Sequence, residues 1–215
     1  LRRGDELQEG DSVVVPRAWA EPPAYVQEID LLASLLALSS DKTSRLYLYG
    51  VRTALDPETR NALREYLPGP RSWYDYRKYD YIPVNLLRHL PPHLVERFRS
   101  ARVGSRYCKL PTRLPVTPAL IELLGLYTAE GCVVHDKSHR STVLSFGSHE
   151  AELTAYAARK VQESFGREVH PNYVHETANL LKLSSRIFAL LFADILGAGE
   201  NSHSKRVPDL ILNLP

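Results

Sequence analysis

Leu123-Leu124-Gly125-Leu126-Tyr127-Thr128-Ala129-Glu130-Gly131 is the stretch on which the reading of this chain turns. It closes a run from Pro118 to Gly131 that fits a helix, with Thr117 as the cap and Pro118 at the first helical position, where a missing N–H costs nothing. Gly125 and Ala129, one turn apart, are small enough for a second helix to approach closely. The run ends on a carboxylate, Glu130. Gly131 follows, a residue free to take the left-handed backbone that stops helices. Two such helices packed together bring two carboxylates to one end of their interface. Paired acids of that kind are a site for Mg²⁺, which prefers oxygen ligands and keeps several waters. The same nine residues also fit a buried amphipathic helix with a glycine cap, so the flanks decide between the two.

Downstream, Cys132 to Asp136 and Ser141 to Gly147 are apolar-rich segments joined by Lys137-Ser138-His139-Arg140, which reads as a hairpin with a basic tip. Ser148 is expected to cap a helix running to about Phe165. Arg167 to His175 and Ala178 to Leu183 read as a second hairpin. Ser184 or Ser185 opens a last helix through Leu196, stopped by Gly197 and Gly199. Lys205-Arg206-Val207-Pro208-Asp209-Leu210-Ile211 then follows.

These residues resemble the LAGLIDADG family of homing endonucleases. Gly125, Leu126, Ala129 and Gly131 match the nonamer, Tyr127 stands for Ile, Thr128 for the first Asp, and Glu130 for the metal-binding Asp. The order helix, strand, strand, helix, strand, strand, helix is that of one family repeat. The Lys205 block resembles the "K-R-I-P-x-F-I" segment that precedes a second motif helix in two-repeat members. The resemblance implies an α+β fold, an αββαββα repeat whose curved antiparallel sheet lies in the DNA major groove. It implies site-specific hydrolysis of double-stranded DNA with Mg²⁺ at a composite site of two motif-helix acids. Glu130 is the expected metal ligand and catalytic acid, and Lys205 a basic residue beside the scissile phosphate. Gly125 and Ala129 are the expected helix-packing positions.

Groove-facing candidates are Lys137, His139, Arg140, Thr142, Asn172, Tyr173, His175, Asn179 and Lys182, since Arg and Lys suit guanine edges and Asn suits adenine. Lys182 is also a lesser candidate for the role given to Lys205. One motif supplies one acid. The second repeat is therefore expected either in the parent chain beyond Pro215 or in a second copy of this chain, and the Lys205 block favours the former.

Upstream, Leu7 to Arg17 (LQEGDSVVVPR) is similar to the stretch where an intein's splicing domain meets its inserted endonuclease. The chain begins at Leu1 without Met and is read as a fragment or a processed product. Expected divisions are residues 1–25, the end of a splicing-type β region and linker; 26–113, an accessory basic, Tyr-rich mixed α/β region; and 114–215, the endonuclease repeat. Within the accessory region, Gln27 to Leu38 suits an amphipathic helix, Arg45 to Gly50 a strand, and Pro57 to Tyr66 a helix capped by Asp56. Asn85 to Arg99 suits a basic helix, and Lys109 to Thr117 a linker. Pro68 to Tyr81 interleaves Trp73, Tyr74, Tyr76, Tyr79 and Tyr81 with Arg71, Arg77 and Lys78. Rings that stack on bases beside cations that meet phosphates are typical of nucleic-acid surfaces. A locally packed loop has the same composition.

The charge distribution agrees. The 215 residues carry a formal net charge of +2, yet residues 60–113 hold twelve basic side chains against four acids, leaving the remainder at −6. Cys108 and Cys132 form no metal-ligand or disulfide spacing, which suits a reducing, cytoplasmic setting. No apolar run is long enough for a membrane span and no secretory signal opens the chain. The rival reading is a catalytically inactive DNA-binding module on the same fold, a decayed intein insert or a regulator. A weaker rival is an RNA-splicing maturase.

Overall fold

A computed structural model describes residues 26–69, 71–136, 139–172 and 177–212. The expected splicing-type segment, residues 1–25, lies outside them. The chain enters through strand β1 (Glu28–Asp30) and helix α1 (Leu31–Ala37). The short α2 (Ser40–Thr43) and β2 (Tyr47–Tyr49) follow, then α3 (Pro57–Leu63) and α4 (Ser72–Tyr79). Asp56 caps α3 as expected, its carboxylate accepting the Thr59 N–H at 2.8 Å. After β3 (Tyr81–Pro83), the expected helix over Asn85–Arg99 is broken into a 3₁₀ turn over Val84–His89, α5 (Pro92–Val95) and a second 3₁₀ turn over Glu96–Phe98. Pro91-Pro92 is the cause. Proline supplies no N–H and forces the residue before it out of helical backbone.

Strands β4 (Arg102–Gly104) and β5 (Lys109–Pro111) complete an antiparallel sheet in the order β3-β2-β4-β5. The stretch expected as a linker is therefore mostly strand, because β6 (Arg113–Pro115) pairs with β1. One face of the four-stranded sheet buries Leu48, Ile82, Val103 and Leu110. That core runs without interruption into the side chains of the second half, Leu120, Leu144 and Phe188 among them.

The motif helix α6 (Pro118–Glu130) starts as the sequence predicts, with Thr117 Oγ1 accepting the Leu120 N–H at 3.2 Å. It leads into β7 (Gly131–Asp136) and β8 (His139–Gly147), then α7 (Ala151–Phe165). That helix begins three residues after Ser148. Glu150 closes the turn instead, its carboxylate accepting the Gly147 N–H at 2.6 Å. Strand β9 (Ala178–Leu183) pairs with β8, and Asn172 joins by a single bridge to Leu180. The described sheet thus runs β7-β8-β9, with Asn172 bridged to its β9 edge. Helix α8 (Arg186–Ala189) continues as a wide turn over Leu190–Ile195, and α9 (Asp209–Leu212) ends the described chain. The fold is α+β, and no helix among the described residues is long and apolar enough to cross a membrane.

Candidate nucleic-acid interface and acid site

Period-two geometry sorts the repeat's sheet into two faces. Val133 packs on Ala189 and Ala193, and it pairs with Thr142. Leu144 and Phe146 share that helix-side face with Arg140, Thr142 and Asn179 through the strand registers. Three expected groove residues therefore point to the wrong side. Asn179 is buried, and its amide donates to the Gly147 carbonyl at 3.1 Å and to that of Ser148 at 3.3 Å. Thr142 is fully buried. Arg140 is ion-paired, with Nη1 3.1 Å from Asp194 and Nη2 on Glu200, and Glu200 also meets His135 at 3.1 Å. Lys182 stands exposed on the opposite face, and Asn172 bridges to Leu180 on that same face. Lys137, Tyr173 and His175 lie outside the described residues, as does the side chain of His139.

The end of α6 brings Glu130 and Lys205 together across 75 residues of chain. Glu130 is exposed. Lys205 Nζ donates to the Ala129 carbonyl at 2.9 Å, on the helix terminus where partial negative charge gathers. Burial pushes the Lys205 ammonium below its ordinary value, while Glu130 and Cys132 pull the other way. Behind it, Tyr127 is fully buried against Phe192 at 4.8 Å and donates to the Gly199 carbonyl at 2.6 Å. That bond ties the motif helix to the loop carrying Lys205. Gly131 is extended, φ −86° and ψ 156°, so the expected left-handed cap is absent. Glycine is needed there because a Cβ would sit 2.3 Å from the Tyr127 ring.

Gly125 and Ala129 both face outward, and a Cβ on Gly125 would meet nothing within 4 Å. Glu130 offers the oxygen donor that Mg²⁺ favours, but no group of three metal-ligating side chains occurs among the described residues. One exposed carboxylate is a donor of the right kind and is not by itself a complete set.

In the accessory region, the Trp/Tyr-rich segment is a helix. Asp80 ends it in the left-handed region at φ 55°, and its carboxylate accepts the N–H groups of Val51 and Arg52, each at 2.7 Å. That clamp sets Arg52 beside α4. A groove of about 590 Å³ results, lined by Arg52, Arg60, Trp73, Tyr74, Arg77 and Lys78. Cations and rings line it, and no acid does. Lys78 lies over the Tyr79 and Tyr74 rings at 5.1 and 5.8 Å. Arg71 is exposed where α4 begins. The outer face of the four-stranded sheet adds Tyr47, Tyr49 and Tyr81, with ring centroids 5.5 to 6.5 Å apart and Lys109 4.1 Å over Tyr49. The composition of residues 60–113 signalled the charge. Tyr47, Tyr49 and Arg52 lie outside that window, and only strand pairing and the Asp80 clamp bring them to it.

No protein-family model matches this chain. It is 29% identical over 221 residues to the DNA polymerase II large subunit of Thermococcus kodakarensis, a match that takes in all of this chain and 11% of that protein. It is 22% identical over 223 residues to the uncharacterized protein MJ1054 of Methanocaldococcus jannaschii, covering 99% of this chain and 24% of that one. The chain thus spans a small part of the length of either relative.

Proposed function

We propose that this chain is one repeat, with its accessory region, of a LAGLIDADG-type endonuclease that cuts double-stranded DNA at a long specific site and is carried as an insert within a larger host polypeptide. The observation that carries the reading is the meeting of Lys205 with the acid end of α6: the lysine of the "K-R-V-P" block donates to Ala129 next to Glu130. A helix whose small residues face outward beside that pair supports a half-site awaiting a second motif helix. The insert reading is supported by two relatives of different length in which the same segment is a small fraction.

In this reading Glu130 and its counterpart on the second helix would hold Mg²⁺, which would activate water and stabilise the leaving 3′ oxygen. Lys205 is the chain's own electrostatic contribution, a half-buried ammonium whose charge meets a phosphate at the mouth of the site. The outer face of β7-β8-β9 reads the duplex, and the accessory groove of Arg52, Arg77 and Lys78 holds flanking phosphates.

The test is cleavage selection on a randomised duplex library with Mg²⁺, using the full-length parent and this chain, each beside Glu130→Gln. One long motif cut by the parent and lost in Glu130→Gln is the expected result. Cutting unchanged by Glu130→Gln would remove Glu130 from the site. One observation favours a binding-only module: Thr128 donates back to the Leu124 carbonyl at 2.8 Å, leaving Glu130 as the motif's single outward acid. Specific, salt-dependent binding by the parent without metal-dependent cutting would select that reading.

A further inference from the structure

Between the accessory region and the repeat lies a cavity of about 480 Å³ whose wall carries Arg45, Arg140, Lys182, Arg186, Ser185 and Tyr107. Four cations share that wall with one acid, Asp136. One buried polar atom of this wall, Arg140 Nε, has no hydrogen-bond partner among the described residues. The Arg140 side chain is nine-tenths buried. Native proteins seldom leave such a donor unmet, because burial without a partner forfeits its hydrogen bond to water.

Arg186 is crowded as well. Its Nη1 donates to Ser44 Oγ at 3.1 Å and to the Ser44 carbonyl at 3.3 Å, neutral acceptors both. Burial, then the nearby charges of Arg45 and Arg140, hold its guanidinium below its ordinary value. Arg140 is balanced by Asp194 and Glu200, and both lie on the helix side. An anion entering the cavity would relieve the repulsion among Arg45, Arg140 and Arg186.

We propose that this cavity seats a phosphate group, and that in the working protein the group is a backbone phosphodiester of the duplex. Guanidinium forks and hydroxyls are the donors that phosphate oxygens take. The assignment to a polynucleotide rests on the DNA-binding reading above and on two features of the surface. Lys182 belongs at once to the cavity and to the outer sheet face. A second cleft, lined by Arg102, Arg106, Lys109 and Arg167 and by no acid, adjoins the first across the 81%-exposed Tyr107 ring, which lines both. Two cationic cavities sharing one exposed aromatic suit a ligand with successive phosphates and bases. The cavity would hold the strand where it passes from the repeat to the accessory region.

Two measurements on the full 215-residue chain test this, with Arg45→Ala and Lys182→Ala, both exposed positions, beside Arg159→Ala on the exposed side of α7 as control. The first follows melting temperature in inorganic phosphate against chloride at matched ionic strength. Phosphate should raise it in the native chain and in Arg159→Ala, and fail to do so in the two cavity variants. The second follows duplex-DNA affinity against salt, where each cavity variant should lose about one unit of slope and the control none. Phosphate stabilisation with an unchanged slope, or with no duplex binding by the native chain, would overturn the polynucleotide assignment and leave a free phosphorylated molecule as the ligand. Duplex binding without any phosphate effect or slope change would overturn the cavity while leaving the DNA-binding reading intact.

Discussion

Gly131 shows how one residue fixes where the acid points. The glycine after Glu130 reads in the sequence as a left-handed helix stop, but the backbone there is extended and runs straight into β7. What excludes a side chain is space, since a Cβ would lie 2.3 Å from the Tyr127 ring and 2.6 Å from the Tyr127 carbonyl oxygen. Gly131→Ala should therefore destabilise the chain by about 1–3 kcal/mol, the cost of overpacking a filled site. Urea denaturation measures it. Asn, which a left-handed cap would welcome, should do no better than Ala. Equal stability of Gly131→Asn and the native chain would contradict this account. The same crowding keeps Tyr127 against Phe192 and its hydroxyl on Gly199, which positions the loop of Lys205 beside Glu130.

At the scale of elements, caps are the features that sequence reports most directly. Asp56 holds the Thr59 N–H, and that bond keeps its carboxyl below the usual carboxylate range. Asp56→Ala should cost about 1 kcal/mol at neutral pH. Because the folded value is the lower one, this stabilisation is complete above the unfolded carboxyl value of about 3.9 and fades as pH falls toward the folded one. Melting curves at pH 7 and pH 3 should show the gap between native and variant closing, and a gap that widened in acid would refute the cap. Helices α3 and α6 and the β7-β8 hairpin were legible because their signals are local: a cap, a proline at the first turn, alternation. The break at Pro91-Pro92 was equally local and is a matter of weighing proline above periodicity. The side assignments of Arg140 and Asn179 were not legible. They depend on a strand register and on Asp194 and Glu200, acids more than fifty residues away. Likewise, no local pattern joins Arg45 to Lys182 and Arg186 around one cavity.

Across the whole molecule, the charge and the open faces are segregated. Cations and rings gather on the accessory region and along its seam with the repeat, whereas the exposed stripe of α6 carries Gly125, Ala129 and, at its end, Glu130. A stripe that serves only as helix surface and one that receives a second helix respond oppositely to bulk. Among the described residues nothing lies within 4 Å of a Cβ at Gly125, and the position is exposed, so a side chain there has room to extend into solvent. Replacing a helix-interior glycine with a good helix former gains about 1 kcal/mol. Gly125→Leu should thus leave this chain as stable as before or more so in thermal melts. On the proposed function a second motif helix packs on this stripe, so the same substitution in the full-length parent should abolish cutting by holding the two helices, and with them their acids, apart. Gly125→Ala, with one methyl group, should fall between the two. Retained cutting in Gly125→Leu would mean that the second acid reaches Glu130 by another route, and the packing role of Gly125 and Ala129 would have to be given up.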